Sequence, residues 1–419
     1  MFILLIVILV ILYLCTISLL KSTMTKMFLT VFTVSTLYYG LLGTWYWIEF
    51  KGGWFIGSNW ASEIYLLPSI YLTVFFVVAA VTIYKDRTLQ PISNFNIKYI
   101  ESDWTNRTIN FLFFIGLFSS LYVYLKASAL SDSSLITIDP FLLIFYQFSD
   151  VLIAVILFSF GTERARKNIW KIALIIFLLY SVFTGLRYKI ALIVGPLLLA
   201  FYFNEDSSKK QKIGLFFTLV IVGIFFSVMT VVRSKFSGLD LDAIKYIDLE
   251  TLLYGLFADA NSVFGLASTL SQYGNDLPFV HFKPLIEVFE QFIPRFIYPD
   301  KNLYSHLKDI AYGISMSEES LRSGTTVPFF GEYFTMFGWY AVYIGSIIYV
   351  FLTIWLFKLV SKYSLNARQL LIGVGLISVY MGYYYYSRGS MAQIFKGLIF
   401  IVYPYILLLR MQRINIKFK

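Results

Sequence analysis

The chain has 419 residues, a length compatible with two or three soluble domains. Apolar residues make up 58 %, charged residues only 14 %, and mean hydropathy is +0.73, where a soluble domain carries about 25 % charge. That composition excludes a soluble enzyme and predicts an all-α polytopic membrane protein. The net charge of +10 does not indicate nucleic acid in this setting, because excess Lys and Arg on a membrane chain collect in its cytoplasmic loops. The single cysteine, Cys15, permits no intrachain disulfide.

A helix needs about 20 apolar residues to cross the hydrocarbon, since its backbone groups must pair within the segment. Runs of that kind cover residues 2–20, 27–48, 64–84, 108–125, 140–160, 169–184, 188–203, 213–232, 339–357, 369–386 and 395–409. They predict about eleven transmembrane helices. The first run lacks a basic start and is too long for a secretory signal, so it reads as a span.

Alternate connections differ sharply in basic residues. One set holds Lys21 and Lys26, then Lys85, Arg87, Lys98 and Arg107, then Arg164, Arg166 and Lys167. It continues with Lys209, Lys210 and Lys212, with Lys358, Lys362 and Arg368, and with Arg410, Arg413, Lys417 and Lys419 in the tail. The opposite short loops hold little beyond Lys51, Lys126, Arg187, Lys189, Arg388 and Lys396. The alternation predicts an external N-terminus, a cytoplasmic C-terminus and an odd number of spans.

Three regions follow: an N-terminal bundle of about eight spans over 1–232, a large external helical loop over 233–328, and about three C-terminal spans with a basic tail over 329–419. Loops of this length inside compact proteins usually carry function. From Leu249 the apolar positions Leu252, Leu253, Leu256, Phe257, Ala260, Phe264 and Ala267 recur at helical spacing, with Asp248 as N-cap and Gly274 as the stop. A second helix is predicted over 284–292, between Pro284 and Pro294. A third is predicted over 303–312, between Asn302 and Gly313. The loop reads as a helical subdomain on the outer mouth of the bundle.

Phosphate loops, HExxH and paired Cys–His sets for a metal are absent from the sequence. Asp240-Leu-Asp242 has the form of a metal–nucleotide-sugar motif, but two acids ahead of a helix read better as capping and solvation. Arginines near the outer ends of spans stand out instead. Arg187 lies in the tight hairpin TGLRYK and Arg388 in YYYYSRGS, while Arg233 opens the large loop, Arg295 follows Pro294 and Arg322 precedes the next span. A charge beside hydrocarbon is costly unless paired. The five-donor guanidinium fork matches phosphate oxygens, so arginines converging at one depth suit a lipid-linked pyrophosphate; snorkelling to headgroups is the plainer explanation for any one of them.

An acceptor hydroxyl needs a general base. The candidates are Asp259 on the long loop helix, His306 and Glu332, with His306 also readable as a packing residue on the stripe of Leu303, Leu307 and Ile310, and Glu332 also as a salt-bridge partner. The aromatic excess reads better as interface belts, although Trp45, Tyr46, Trp47, Trp54 and Trp60 at the outer mouth also suit stacking on sugar rings.

Four segments carry a resemblance. TGLRYKIALIVGPLL, FIPRFIYPDKN, GTTVPFFGEYFTMFGWYAVYIG and YYSRGSM occur in this order between about residues 185 and 391. They resemble the G-x-R, iPR-x-x-x-P-x-K, G-E-x-Y-x-x-F-G-x-x-G and late RG elements of bacterial O-antigen polymerases of the Wzy type. The first half of the chain matches that family only in hydropathy. The resemblance implies a GT-C-like glycosyltransferase of the inner membrane with its active site facing the periplasm. It implies that Arg187, Arg295, Lys301, Glu332 and Arg388 border the site; Arg233 and Arg322 rest on the charge argument alone. The implied reaction moves a growing polysaccharide from undecaprenyl pyrophosphate onto the next lipid-linked repeat unit, with no cofactor or metal and with a separate chain-length-regulating co-polymerase as partner. An O-antigen ligase, which delivers polymer to lipid A core, is the nearest alternative, and a lipid-linked oligosaccharide flippase a more distant one.

Overall fold

The computed structural model describes residues 1–51, 61–89, 103–129, 140–162, 164, 168–183, 187–204, 207–234, 238–239, 245, 247–293, 297–298, 327–386 and 390–417. Among these the chain is helical, apart from a two-residue antiparallel pair of Arg233–Ser234 with Gly238–Leu239 and an isolated bridge of Tyr273 to Leu277. Most described residues of the apolar runs are helical. Among the described residues, six helices are long and apolar enough to cross a membrane: Phe2–Leu19, Thr23–Phe50, Leu67–Asp86, Trp104–Lys126, Trp339–Tyr363 and Met391–Arg413. Ile144–Phe160, Ile169–Ser181 and Tyr188–Tyr202 are shorter apolar helices. Phe2–Leu19 exposes Ile3, Leu4, Ile11 and Leu14. An apolar helix with so little covered surface belongs in lipid. The protein is a helical, membrane-embedded chain.

Two compact units divide the chain. The first comprises residues 1–91, 259–355 and 380–396. Its helix Thr23–Ser35 begins at Ser22, whose hydroxyl accepts from the Met24 amide. The buried Asp86 carboxylate accepts from the amides of Lys21 at 2.8 Å and Ser22 at 3.0 Å and from the Thr25 hydroxyl, which satisfies donors that a helix start leaves orphaned. Thr23–Ser35 runs into a π-helical turn, Thr36–Leu42, and on into Gly43–Lys51. Gly40 is required there, because a Cβ on it would come within 2.5 Å of the Tyr71 ring. The core of this unit is aromatic: Phe32, Tyr71, Phe75, Phe330, Tyr385 and Tyr386 pack ring against ring. Neighbouring hydroxyls are paired, Thr36 donating to Tyr386 at 2.9 Å and Tyr349 to the Met381 carbonyl.

This core departs from the sequence expectation. The interface belts do not account for the aromatic excess, since Tyr71, Tyr349, Tyr380, Tyr385 and Tyr386 are fully buried, as are Tyr46 and Trp47. Hydrogen bonds at the hydroxyls of Tyr349, Tyr380, Tyr385 and Tyr386 are what make the burial of those four tolerable. Trp54 and Trp60 lie outside the described residues.

The predicted loop helix starts as expected: Asp248 accepts from the Thr251 amide at 2.7 Å and from its hydroxyl. It is not continuous, however. Leu249–Phe257 gives way to a 3-10 turn, Ala258–Asn261, before Ser262–Gln272. The turn seats Ala260 flush on Gly43, where a Cβ on the glycine would meet the alanine methyl at 2.5 Å. Ser262–Gln272 is no surface cover. Residues 262–269 are all buried, with Phe264 edge-on to Trp47. It stops as predicted, Gly274 adopting φ +87. The helix predicted over 284–292 is found as Lys283–Glu290, and the one predicted over 303–312 lies outside the described residues.

The second unit comprises residues 92–258, 356–379 and 397–419. Residues 151–158 of its helix Val151–Phe160 are all buried. Gly116 lets helix Asp103–Ala129 lie against Leu152. Buried amides join the C-terminal helices here, with Gln369 donating to Gln412 at 2.9 Å and the Tyr405 hydroxyl to the Gln369 carbonyl at 2.7 Å.

Candidate functional site

Within the first unit, Glu332 occupies the first turn of helix Phe329–Phe337 and is 1 % exposed. Its carboxylate accepts a hydrogen bond from the Met391 amide, the first residue of helix Met391–Gly397. A negative group at a helix start takes up an orphan donor and meets the positive end of the helix dipole. Ser390 completes the cap by accepting from the Gln393 amide at 3.2 Å. The Tyr380 hydroxyl donates to the Ile394 carbonyl at 2.6 Å and fixes the same helix from the side. Two of the sequence segments singled out above are thereby joined, because Met391 ends YYSRGSM and Glu332 lies in GTTVPFFGEYFTMFGWYAVYIG.

The remaining candidates stand as follows. Asp259 lies in the 3-10 turn that precedes Ser262–Gln272. Arg187 is the first residue of helix Arg187–Tyr202, and Arg233 opens the short strand after Val232. Arg295, Lys301, His306, Arg322 and Arg388 lie outside the described residues, as do Asp240 and Asp242.

In the second unit, sequence reasoning missed a charged constellation. Lys189, treated above as a loop residue, is fully buried one turn into its helix. Its ammonium lies 2.8 Å from the Asp150 carboxylate and donates to the Ser149 hydroxyl. The rings of Tyr146, Tyr180 and Tyr188 surround it at 4.8, 5.6 and 5.9 Å. The hydroxyls of Tyr146 and Tyr188 are 3.0 Å apart, and Tyr188 donates on to Asp150 at 3.3 Å. Asp150 itself stands at the junction of helices Pro140–Ser149 and Val151–Phe160. A signal was present in the sequence: an acid inside the apolar run 140–160 demands a cationic partner. The pair ties that junction to the helix start that carries Arg187, two residues earlier.

Tyr180 also lines an apolar cavity of about 270 Å³ between helices Asp103–Ala129, Val151–Phe160 and Asn168–Phe183. Phe113, Leu117, Leu152, Ile156 and Phe177 complete most of its wall. Leu121 and Ile176, at its edge, are exposed. Its chemistry suits hydrocarbon rather than a sugar or a nucleotide.

Compared with known proteins, the chain matches no family model, and no curated protein or solved structure shows significant similarity to it.

Proposed function

We propose that this chain is an O-antigen polymerase, an inner-membrane glycosyltransferase of about eleven spans and GT-C-like architecture. The observation that carries the reading is the hydrogen bond from the Met391 amide to the Glu332 carboxylate. It joins two segments that resemble consecutive elements of one family and brings the G-E turn next to the chain that follows Arg388.

In this reading the acceptor sugar hydroxyl of one lipid-linked repeat unit attacks the anomeric carbon of the donor chain. A glycosidic C–O bond forms, the C–O bond to undecaprenyl pyrophosphate breaks, and the hydroxyl proton passes to a base. Pyrophosphate is a good leaving group and needs no general acid. The arginines, Arg187 and Arg388 foremost with Arg233, Arg295, Lys301 and Arg322, stabilise the charge that develops on its oxygens. Asp259 and His306 serve as candidate bases. Glu332 has an oxygen committed to a backbone amide, which favours a role in positioning the Arg388 hairpin. Undecaprenyl-linked donor and acceptor, membrane lipid and a chain-length co-polymerase are the partners of this reading, and the site faces the periplasm.

Deleting the gene separates the alternatives. Loss of a polymerase leaves lipid A core bearing a single repeat unit. Loss of a ligase leaves bare core and polymer stranded on undecaprenyl, and loss of a flippase traps repeat units at the cytoplasmic leaflet. Either of the last two patterns overturns the proposal. Purified protein should also elongate purified undecaprenyl-linked repeat units without ATP or nucleotide sugar.

A further inference from the structure

Helix Lys283–Glu290 is amphipathic with its apolar side outward. Phe282, Leu285, Ile286, Phe289 and Ile293 recur three or four residues apart on one face and are all exposed, Phe289 at 74 %. The opposite face is turned into the protein and holds Pro284, Val288 and Glu287, the last 1 % exposed. A contiguous apolar patch of this kind marks a surface that something covers.

The neighbouring residues identify the cover. The Phe282 ring meets the Phe337 ring edge-on at 5.1 Å, and the His281 ring lies 5.1 Å from it too. The Val280 amide donates to the Thr335 carbonyl at 2.9 Å, which pins the segment to helix Phe329–Phe337. His281 holds φ +52 and Gly338 φ +65, so the chain turns sharply at both ends of this contact. Directly after Gly338 begins Trp339–Tyr363, a helix long and apolar enough to cross a membrane. Its first residues, Trp339 and Tyr340, are exposed, and Ile344 and Ile348 continue the exposed apolar stripe along it. Trp and Tyr at the end of a span sit at the level of the lipid headgroups. The outward face of Lys283–Glu290 is therefore continuous, through Phe282 and Phe337, with the lipid-facing surface of that span at its interfacial end.

We propose that Lys283–Glu290 is an in-plane helix whose Phe282, Ile286 and Phe289 side chains are immersed in phospholipid acyl chains of the leaflet at the Trp339 end. Immersion removes the exposed rings from water while Glu287 stays packed against the protein. This anchor holds residues 281–293, and with them the contact to Phe329–Phe337, the helix that carries Glu332, at a fixed depth. It stands whether or not the chain is a polymerase, because its test reads lipid contact and not turnover.

The test uses the full chain in nanodiscs of phosphatidylethanolamine and phosphatidylglycerol, with Cys15→Ser as background. Phe289→Cys and Ile286→Cys are labelled separately with an environment-sensitive fluorophore, and Asp276→Cys, on an exposed turn, supplies the aqueous reference. Labels at 286 and 289 should emit to the blue of the reference. Lipids spin-labelled near the headgroup end of the acyl chain should quench them several-fold more than the reference, and aqueous iodide several-fold less. Iodide quenching equal to that at 276 overturns the proposal. So does protection from both quenchers, which would mean that another stretch of this chain or a second copy covers the face.

Discussion

Lys189 and Asp150 form an ion pair at 2.8 Å in which the lysine is wholly buried and the aspartate side chain is 12 % exposed. Charges removed from water in this way stabilise little by being present, but breaking the pair leaves one of them stranded. Lys189→Met or Asp150→Leu alone should therefore lower stability by ~3–5 kcal/mol, while the double variant should recover most of that loss. Thermal unfolding in detergent across the four-member cycle measures this. Additive single losses would show that the two side chains do not act as a pair.

Arg187→Ala and Arg388→Ala should each abolish long-chain product while the protein still reaches the membrane. Polysaccharide ladders from a complemented deletion strain give the readout. Full ladders from both variants would remove the arginines from the reaction.

Glu332 separates a positioning role from a proton-accepting one. Gln keeps an oxygen that accepts from the Met391 amide, whereas Ala leaves that buried donor unsatisfied at a cost of ~1–3 kcal/mol. Glu332→Gln should keep elongation activity and Glu332→Ala should lose it together with stability. A folded but inactive Gln variant would instead make Glu332 the base. Asp259→Asn and His306→Ala, assayed alongside, should differ sharply, with the base being the one whose loss stops turnover.

Asp86 offers a control far in sequence from all of these. Its carboxylate satisfies two backbone amides and a hydroxyl at the start of Thr23–Ser35. Asp86→Ala should destabilise by ~1–3 kcal/mol, and Asp86→Asn by less, since an amide oxygen still accepts. Equal melting temperatures for Ala and wild type would contradict the cap.

Asp248 supplies the pH dependence. Hydrogen bonds from the Thr251 hydroxyl and amide hold its carboxyl below the ordinary carboxylate value. A group depressed on folding stabilises above its unfolded value and loses that contribution as pH falls through its folded one. Amide protection at the start of Leu249–Phe257, taken relative to intrinsic exchange at each pH, should therefore fall at acid pH in wild type. In Asp248→Asn, whose cap does not titrate, it should not.

The sequence made the helices legible because apolar length and end signals are local. Asp248, Gly274 and Pro284 each mark a boundary by their own backbone chemistry, and the structure puts helix ends within a residue or two of them. What depends on distant partners was not legible. Glu332 is paired with a backbone amide 59 positions further on, and no side chain signals a backbone donor. By its charge Lys189 reads as a loop residue, although its partner stands in plain view at Asp150. Composition alone reads an aromatic excess as interface belts, and it does not show that Tyr349, Tyr385 and Tyr386 find partners indoors in Met381, Ser346 and Thr36.

Each compact unit is assembled from three separate stretches, the last of them 380–396 for one and 397–419 for the other. Tyr385, Tyr386 and Met391 reach Phe32, Tyr71 and Glu332 only after all the residues between them have left the ribosome. Nascent helices must therefore wait in the bilayer with their aromatic and acidic faces unmatched. A premature stop before codon 380 would strand both units at once rather than release one finished half.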